Sequence, residues 1–474
     1  MTDTLRVPDL DSLEADLVNR LLRQLKAKHG RNFLRSSLYD GKYALRRVSP
    51  IMPPEYYQLG IVLGWAGKAV DALARRCNLD GFVWVDGDLD SLGLDDFAAG
   101  NLLYSSLKSA MVSSLIHGPA FLINATGGEN EPESLLLMQD ALNATGEWNR
   151  RTRGLDALLS VTKWDDKGGV SAFVLYRPGL TVEAWKGDTR EWQVRRVEHG
   201  LGMPVEPLVY KPRLGREFGQ SRINRPMISL QERGIQTLIR LEGHMDVYSF
   251  PEFWLFGPGM EIFKNPDGST RPSWQLQLAR LKGIPDDPEQ DDPRLARAEV
   301  QQFPAASPEP HLKALNAFAK LFAREASLPD SDVAISDTAN ATSAEAYEQS
   351  REGLIAEAEG AMDDWALPIS RAVARGLAIQ NGEPVVPDSF WGVAPKVRDP
   401  RFLSRSAAAD AGSKVVGSVP WLGETEVGLE LLGLNQSQID RANSERRQAE
   451  LRAARRLFSS RGPGVSGADG DQQP

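Results

Sequence analysis

The stretch Gly219-Gln-Ser-Arg-Ile-Asn-Arg-Pro226 decides the fold, because it leads directly into the first of three long helical patterns. Proline is favoured in the first turn of a helix, where its missing N–H breaks no hydrogen bond. We predict helix A over residues 226–248, helix B over 311–326 and helix C from about 343 to 377. A chain that commits this much length to helices, with no set of catalytic residues beside them, is expected to be a structural component.

Helices A and B differ in how their apolar residues are arranged. Those of helix A spread widely around its circumference, which indicates that more than one side is packed. They are Ile228, Leu230, Ile235, Leu238, Leu241 and Met245. Helix B has a single apolar stripe, made of Leu312, Leu315, Phe318, Leu321 and Phe322. Residues 250–303, between the two helices, are rich in proline, glycine and tryptophan and contain short strand-like pieces.

An irregular acidic loop over residues 327–341 separates helices B and C. It carries Asp330, Asp332 and Asp337 and contains no lysine or arginine. The sequence Thr342-Ser-Ala-Glu345 is a capping box, which predicts the start of helix C. A kink is expected at Pro368, because proline removes one backbone hydrogen bond of a helix.

The N-terminal 210 residues are predicted to mix helices and strands. Apolar periodicity indicates helices over 10–29, with Asp11 or Ser12 as the cap, over 55–78 and over 98–116, with a turn-rich connector over 33–54. The predicted strands are residues 81–85, 120–124, 157–162, 170–176, 180–185, 192–197 and 205–210. No βαβ alternation is present, so we expect an antiparallel α+β layer rather than a Rossmann-type sheet.

The C-terminal region is predicted to be helical after one extended segment over 391–400. Helices are expected over 399–416, within 421–432 and over 437–458, and the polar residues 459–474 are expected to be disordered. The last helix is rich in arginine, interleaved with Asp440, Glu445 and Glu450 at spacings that form i, i+4 ion pairs. Its two open interpretations are a solvated or intersubunit face and a DNA contact.

Composition excludes several classes of protein. The 474 residues leave room for roughly two to four domains, and 41% of them are hydrophobic. A net charge of −9 argues against a generic nucleic-acid coat, although DNA could still pass through such a protein. No signal peptide and no apolar run of about 18–20 residues is present. Cys77, the single cysteine, follows an apolar helical pattern and is expected to be a buried thiol in a reducing compartment.

The motifs that would indicate an enzyme are incomplete. Gly67-Lys68 lacks the rest of a phosphate-binding loop, and no dinucleotide fingerprint or nucleophile elbow is present. Asp86, Asp88 and Asp90 begin like a calcium loop but lack its later glycine and glutamate, so a solvated turn is expected. The histidines lie far apart in sequence without metal-ligand spacing, namely His29, His117, His199, His244 and His311. The acidic run 285–293 is either a weak divalent-cation site or an exposed loop. No cofactor is expected.

Several short phrases, in a fixed order along residues 30–450, resemble one protein family. They are Leu38-Tyr-Asp-Gly-Lys42 with Pro53-Pro54, Trp65 with Ala69-Val70-Asp71 and Asp80-Gly-Phe82, Gly219-Gln-Ser-Arg-Ile-Asn-Arg-Pro226, Phe303-Pro-Ala-Ala-Ser-Pro308, Ser343-Ala-Glu-Ala346 and Arg398-Asp-Pro400. The chain resembles the portal proteins, or head-to-tail connectors, of long-tailed double-stranded DNA phages, especially those of actinobacteria.

The resemblance implies a phage portal fold, in a ring of about twelve subunits at one capsid vertex. Its parts would be a mixed α/β wing, a helical-hairpin stem, a small clip, a long kinked helix and a helical C-terminal crown. Carried over, these are residues 1–225 for the N-terminal region and wing, 226–248 and 306–326 for the stem, 249–305 for the clip, 327–341 for the tunnel loop, 342–400 for the long helix and wing return, 401–458 for the crown and 459–474 for the tail.

The same resemblance suggests functional residues. In the tunnel loop, facing DNA, they are Asp330, Ser331, Asp332, Ser336, Asp337, Thr338 and Asn340. In the clip, for docking of partners, they are Trp274, Arg280, Lys282 and Arg294. In the crown, as a further DNA contact, they are Arg446, Arg447, Arg452, Arg455 and Arg456.

The resemblance also implies partners and a location. These are other copies of the chain, double-stranded DNA in the channel, the large terminase subunit, the head–tail adaptor, and the major capsid and scaffolding proteins. No membrane is expected. The protein would be made in the host cytoplasm and reside in the virion, without catalytic activity of its own. The alternatives are a metal-dependent phage nuclease that uses the acids of 285–293, or another minor capsid protein.

Overall fold

The computed structural model describes residues 4–45, 54–85, 87–187, 191–248, 253–256, 269, 281–284, 307–335, 349–401, 405–434 and 436–460. The chain forms two compact units, Met1–Arg398 and Asp399–Pro474. Among the described residues, no helix has both the length and the apolar character needed to cross a membrane.

The first unit contains the predicted antiparallel sheets, and the α+β fold class is confirmed. The larger sheet is a five-stranded meander of β4 (Ala144–Asn149), β5 (Gly154–Trp164), β6 (Val170–Arg177), β7 (Leu180–Lys186) and β8 (Trp192–Glu198). A three-stranded sheet has the order β3-β2-β9, from Ser134–Asp140, Pro119–Thr126 and Val205–Val209. A third sheet pairs β1 (Leu79–Trp84) with β12 (Val393–Val397), two segments that were both predicted to be extended.

Helix α1 (Ser12–Tyr39) covers one face of the five-stranded sheet. Asp11 caps it, accepting a hydrogen bond from Glu14 N at 2.6 Å while the Glu14 side chain accepts one from Asp11 N. Its Val18 and Leu21 pack in one buried cluster with sheet residues such as Phe173. The prediction of a connector from residue 33 was wrong over 33–39, because tertiary contacts extend the helix through buried residues such as Leu38.

Two further helix predictions in this unit needed correction. The helix expected over 55–78 begins only at Trp65, as α2 (Trp65–Ala74). Gly60, which follows a short 3-10 turn, has a positive φ of 62°, a conformation that a continuous helix does not contain. The helix expected over 98–116 is two helices, α3 (Leu94–Gly100) and α4 (Leu103–His117). Leu102, between them, is left-handed with φ 47°, a conformation that a continuing helix does not allow.

Helices A and B were predicted close to their observed bounds, as α5 (Arg225–Tyr248) and α6 (Glu309–Glu325). Helix C was predicted from about residue 343, but the described helix α8 (Glu352–Gln380) starts later, after a turn at 350–351, and it continues through Pro368. The capping box predicted at 342–345 lies outside the described residues. In the central core, α8 packs its fully buried Trp365 among residues of α2, α4 and β2. Within the insert, β10 (Phe253–Phe256) and β11 (Leu281–Ile284) pair in parallel, as expected for strand-like pieces.

The second unit is helical. It contains α9 (Arg405–Ser418), a 3-10 turn over Pro420–Glu424, α10 (Glu426–Leu431) and α11 (Gln436–Ser460). Thr425 caps α10 by accepting a hydrogen bond from Gly428 N at 3.2 Å. The helices predicted in this region are therefore present. The tail that was expected to be disordered, residues 459–474, lies outside the described residues after Ser460.

Candidate functional site

The buried Arg222 joins four parts of the first unit. Its guanidinium forms an ion pair with Glu357 of α8. It also donates hydrogen bonds to Ala326 O at 2.7 Å, just after α6, and to Ala69 O of α2 at 2.9 Å. Tyr210, after β9, lies within 3.3 Å of the same guanidinium through its hydroxyl. Arg222 therefore holds the end of α6 against the long helix α8 and the sheet.

The phrase around Gly219 places Arg222 in this position. Gly219 has φ 62°, and a Cβ there would lie 2.2 Å from Tyr210 O, so only glycine fits the turn. Ser221 Oγ then donates to Ile116 O at 2.5 Å, and Arg222 N donates to Leu115 O at 2.8 Å. These bonds hold the backbone against α4 while the arginine side chain enters the core.

Glu357 is charged although it is buried. Burial alone would raise its pKa, but the Arg222 ion pair outweighs this, with hydrogen bonds from Arg222, Lys211 and Tyr210, so the pKa falls below its ordinary value. Tyr210 donates its hydroxyl to Glu357 at 2.5 Å, and Lys211 forms a second ion pair with the same carboxylate. Burial raises the pKa of Tyr210, so its hydroxyl stays a donor at neutral pH. The opposite charges of these groups compensate one another, as buried ionic groups require.

Helices α5 and α6 form an antiparallel hairpin. At one end, Asn224 Nδ2 donates to Glu325 Oε1 at 2.7 Å, which joins the start of α5 to the end of α6. At the other end, the rings of His244 and His311 lie 5.2 Å apart. His244 and His311 are far apart in sequence, and only the hairpin brings their rings together.

The base of the hairpin is anchored to the segment before α2. The Gln231 side chain accepts a hydrogen bond from Ala66 N at 2.9 Å and donates one to Leu63 O at 2.7 Å. Tyr43 donates its hydroxyl to Glu232 at 2.6 Å. Helix α5 therefore packs against this segment as well as against α6, as its widely spread apolar residues indicated.

The loop after α6 is more ordered than predicted where it is described. Residues Asp330–Val333 form one helical turn, α7, which corrects the expectation of a wholly irregular loop. Asp330 and Ser331 are exposed, whereas Asp332 is partly buried and its carboxylate lies 3.9 Å from Arg351, just before α8. Asp332 therefore has a cation nearby, although the loop itself contains no lysine or arginine.

Comparisons with known proteins place this architecture in a family. Residues 19–450 match the family model described as phage portal protein, SPP1 Gp6-like. The chain belongs to the phage portal protein family. It is 23% identical over 453 residues to the portal protein of Mycobacterium phage L5, covering 93% of this chain and 88% of the relative. It is 24% identical over 401 residues to that of Mycobacterium phage D29, covering 81% and 78%.

Solved particle structures show weaker similarity to this portal protein. A chain from the neck of an empty gene transfer agent particle, computed with C6 symmetry, is 14% identical, with a TM-score of 0.43, covering 78% of this chain and 90% of that chain. A chain from the native particle's neck, computed with C12 symmetry, is 13% identical, with a TM-score of 0.39 and coverages of 78% and 91%. At these scores they do not bear on the symmetry of this protein's own assembly. The sequence-based identification as an actinobacteriophage-like portal protein rests on the family match and the mycobacteriophage relatives, and it is confirmed.

The structure describes only part of the predicted portal sites. In the tunnel loop, Ser336, Asp337, Thr338 and Asn340 lie outside the described residues. In the clip, Lys282 lies on β11, and Trp274, Arg280 and Arg294 lie outside the described residues, as does the acidic run 285–293. Within the part of the chain that is described, no group of three or more His, Cys, Asp or Glu side chains is arranged to hold a metal ion.

The arginine-rich helix of the portal's second unit is α11, and its charges are partly paired internally. Arg446 bonds to Glu450 at 3.2 Å and Arg441 to Glu445 at 2.9 Å, so the expected i, i+4 pairs are present. Arg447 and Arg452 are exposed, and Arg455 and Arg456 lie on the same helix. The ion pair with Glu450 reduces the positive charge that Arg446 could present to DNA. A solvated or intersubunit face and a DNA contact are both still proposals for this helix.

The Arg222 and Glu357 pair was not predicted from sequence. The phrase containing Arg222 was recognised only as a family resemblance, and nothing in the spacing of Glu357 marks it as buried. A second buried pair was also missed, between Glu206 of β9 and Arg375 of α8 at 2.7 Å. Both pairs join residues more than a hundred positions apart, so no local pattern could have indicated them.

Proposed function

We propose that this portal protein forms a ring of about twelve copies at one capsid vertex, with a central channel through which double-stranded DNA is packaged and ejected. The observation that carries the proposal is the antiparallel α5–α6 hairpin, fixed to α8 through Arg222 within a chain that the portal family model matches over residues 19–450. The hairpin is the stem, and residues 1–225 with 342–400 are the wing.

The remaining parts follow in the same proposal. Residues 249–305 form the clip, on which the large terminase subunit docks first and the head–tail adaptor later, using Trp274, Arg280, Lys282 and Arg294. Residues 401–458 form the crown facing the capsid interior, in contact with capsid or scaffolding proteins during assembly. The protein is made in the host cytoplasm and is carried in the virion.

The tunnel loop, residues 327–341, is proposed to line the channel without gripping DNA. Asp330 is exposed, and like charge disfavours tight contact with phosphates. Asp332 instead lies near Arg351, which favours a role in holding the loop against α8. The role is structural and not enzymatic, and membership of the portal family favours this over a nuclease.

Electron microscopy of the purified protein in negative stain tests the proposal. We expect class averages along the ring axis with about twelve- or thirteen-fold symmetry and a central hole. A closed assembly without a hole would contradict it and favour another capsid component. A monomer that cleaves DNA with a divalent metal, and loses this activity when Asp291 and Asp292 are changed to asparagine, would replace it with the nuclease.

A further inference from the structure

A cluster of cations lies between α1 and the segment that follows β9. Lys28, Arg31 and Arg35 share one face of α1, at spacings of three and four residues. Arg216 faces them from the other side, where a backbone pair between Arg213 and Arg216 fixes the turn, with Arg216 N bonding to Arg213 O at 2.8 Å. Four positive charges therefore converge on one groove.

Among the described residues, no acid neutralises the four cations. Lys28 Nζ lies over the ring of Phe218 at 5.5 Å, and Arg35 donates to His117 O at a long 3.4 Å. Within the described part of the chain, none of the four has a carboxylate within ion-pair distance. Burial lowers the pKa of Arg35 to about 10, and the nearby like charges of Arg31 and Arg216 add to this effect. Burial lowers the pKa of the neighbouring His117, and the charge of Asp140 opposes this effect in part.

The long helix α8 carries a complementary face. Glu352, Glu359 and Asp363 are exposed along one stripe, with Ala356 and Gly360 exposed between them. A Cβ built on Gly360 meets nothing within 4 Å, so the helix surface there is open. Within the described residues, none of the three acids has an ion-pair partner. The Asp363 end of the stripe opens into a cleft of about 770 Å³ that also contains arginines, whereas the Glu352 end does not.

The two faces are opposite in charge, and the stripe of acids is long enough to cover the cations of α1. At about 1.5 Å per residue, the cations of α1 span about 10 Å and the acids of α8 about 16 Å. Small residues between the acids allow close approach of another helix, as at other helix contacts. The proposed ring places a second copy beside this groove, and the exposed carboxylates of its stripe carry the charge opposite to that of the four cations.

We propose that the cation groove of α1 binds the acidic stripe of α8 from a second copy of this chain. Two different surfaces then pair head to tail, which is the type of interface that closes a ring. This inference rests on the proposed ring and deepens it by naming which surfaces meet. It predicts that ring closure depends on charge at positions 28, 31, 35 and 216 of one copy and 352, 359 and 363 of the next.

Charge reversal on each face tests the pairing. Variant one is R31E/R216E and variant two is E352K/E359K, all four at exposed positions. We expect each variant alone to lose rings, or to need a concentration higher by about tenfold or more for half-assembly, because like charges now face each other. The matched control K163E/K167E reverses two exposed lysines of the β5–β6 hairpin and is expected to assemble like the wild type. Circular dichroism checks that every variant folds.

Mixing the two variants gives the sharpest result. In an equimolar mixture, each interface again joins opposite charges, so rings with alternating variants are expected, with both present in equal amounts by native mass spectrometry. The quadruple variant R31E/R216E/E352K/E359K is expected to form rings by itself.

Other outcomes overturn the inference and separate it from the proposed function. Wild-type rings with both variants assembling normally would show that other surfaces meet. If R31E/R216E rings form normally but bind duplex DNA more weakly in fluorescence anisotropy, the groove is a phosphate site. Absence of rings in the wild type would instead contradict the proposed function itself.

Discussion

Replacing Arg222 by methionine is expected to destabilise the first unit by about 3–5 kcal/mol, the usual cost of removing one partner of a buried ion pair. The Arg222 side chain is 3% exposed and that of Glu357 10%. The substitution removes the ion pair and the hydrogen bonds to Ala326 O and Ala69 O, while keeping a similar side-chain length. Lys211 and Tyr210 still contact Glu357 in the variant, which favours the lower end of the range.

The measurement is urea denaturation at one fixed protein concentration, followed by circular dichroism and tryptophan fluorescence. A fixed concentration is needed because association stabilises the folded state. The matched control is Arg225→Met, an exposed position three residues away, which is expected to change the free energy of unfolding by less than about 0.5 kcal/mol. The double variant R222M/E357L is expected to be about as stable as R222M, because it removes the buried carboxylate but also removes the acceptor that Tyr210 and Lys211 contact.

The outcome also tests the reasoning behind the site. If R222M and R225M shift the urea midpoint equally, Arg222 does not hold the end of α6 against α8. If R222M/E357L is much less stable than R222M, the cost lies in lost packing and not in an unpaired carboxylate. Arg222→Lys keeps the charge but not the forked geometry, and is expected to lie between R222M and the wild type.

Four further predictions follow from buried or strained groups. Gly219→Ala is expected to cost more than Gly215→Ala in the free energy of unfolding, because both have positive φ but only the former meets an atom, Tyr210 O at 2.2 Å; equal costs in urea denaturation would contradict the steric argument. The pKa of Glu357 is lowered in the folded state, so the stability that its charge contributes is complete above its ordinary pKa of 4.5 and is lost as the pH falls through the folded value. In denaturation curves between pH 6 and about 3, E357Q is expected to lack this part of the acid dependence, and a free energy of unfolding that changes with pH as in the wild type would refute the prediction. Burial lowers the pKa of His117 below 6.5, so the unfolded chain takes up a proton at a higher pH than the folded chain does, and stability is lost as the pH falls below about 6.5. His117→Gln is expected to make the free energy of unfolding depend less on pH between about pH 8 and 5, and a pH dependence like that of the wild type would show that His117 is not its source. Burial raises the pKa of Cys77 to about 12, so a thiol reagent at neutral pH is expected to react only at the rate of unfolding, and rapid reaction of the native protein would show an accessible thiol.

The sequence determined the elements whose signals are local. Helices A and B carry strong 3.6-residue periodicity and start signals, and both lie within about two residues of their predicted starts and ends. The alternating strands over 154–198 were found because turn residues separate them. The short motifs shared with portal proteins indicated the family, because they occur in the same order along most of the chain and not at a single site.

Tertiary structure decided what depends on distant residues. Helix α1 continues to Tyr39 because Asn32 donates to Ala141 O at 2.9 Å and Leu38 is fully buried, contacts that no local window contains. The α5–α6 hairpin is joined to the long helix α8 by Arg222 and Glu357, which are 135 positions apart in sequence. A charge can be buried only where its partner arrives from another element, because an isolated charge costs too much to desolvate. The sequence therefore determined the long helices with strong periodicity, and only the tertiary structure decided where the other helices end and which buried charges join them.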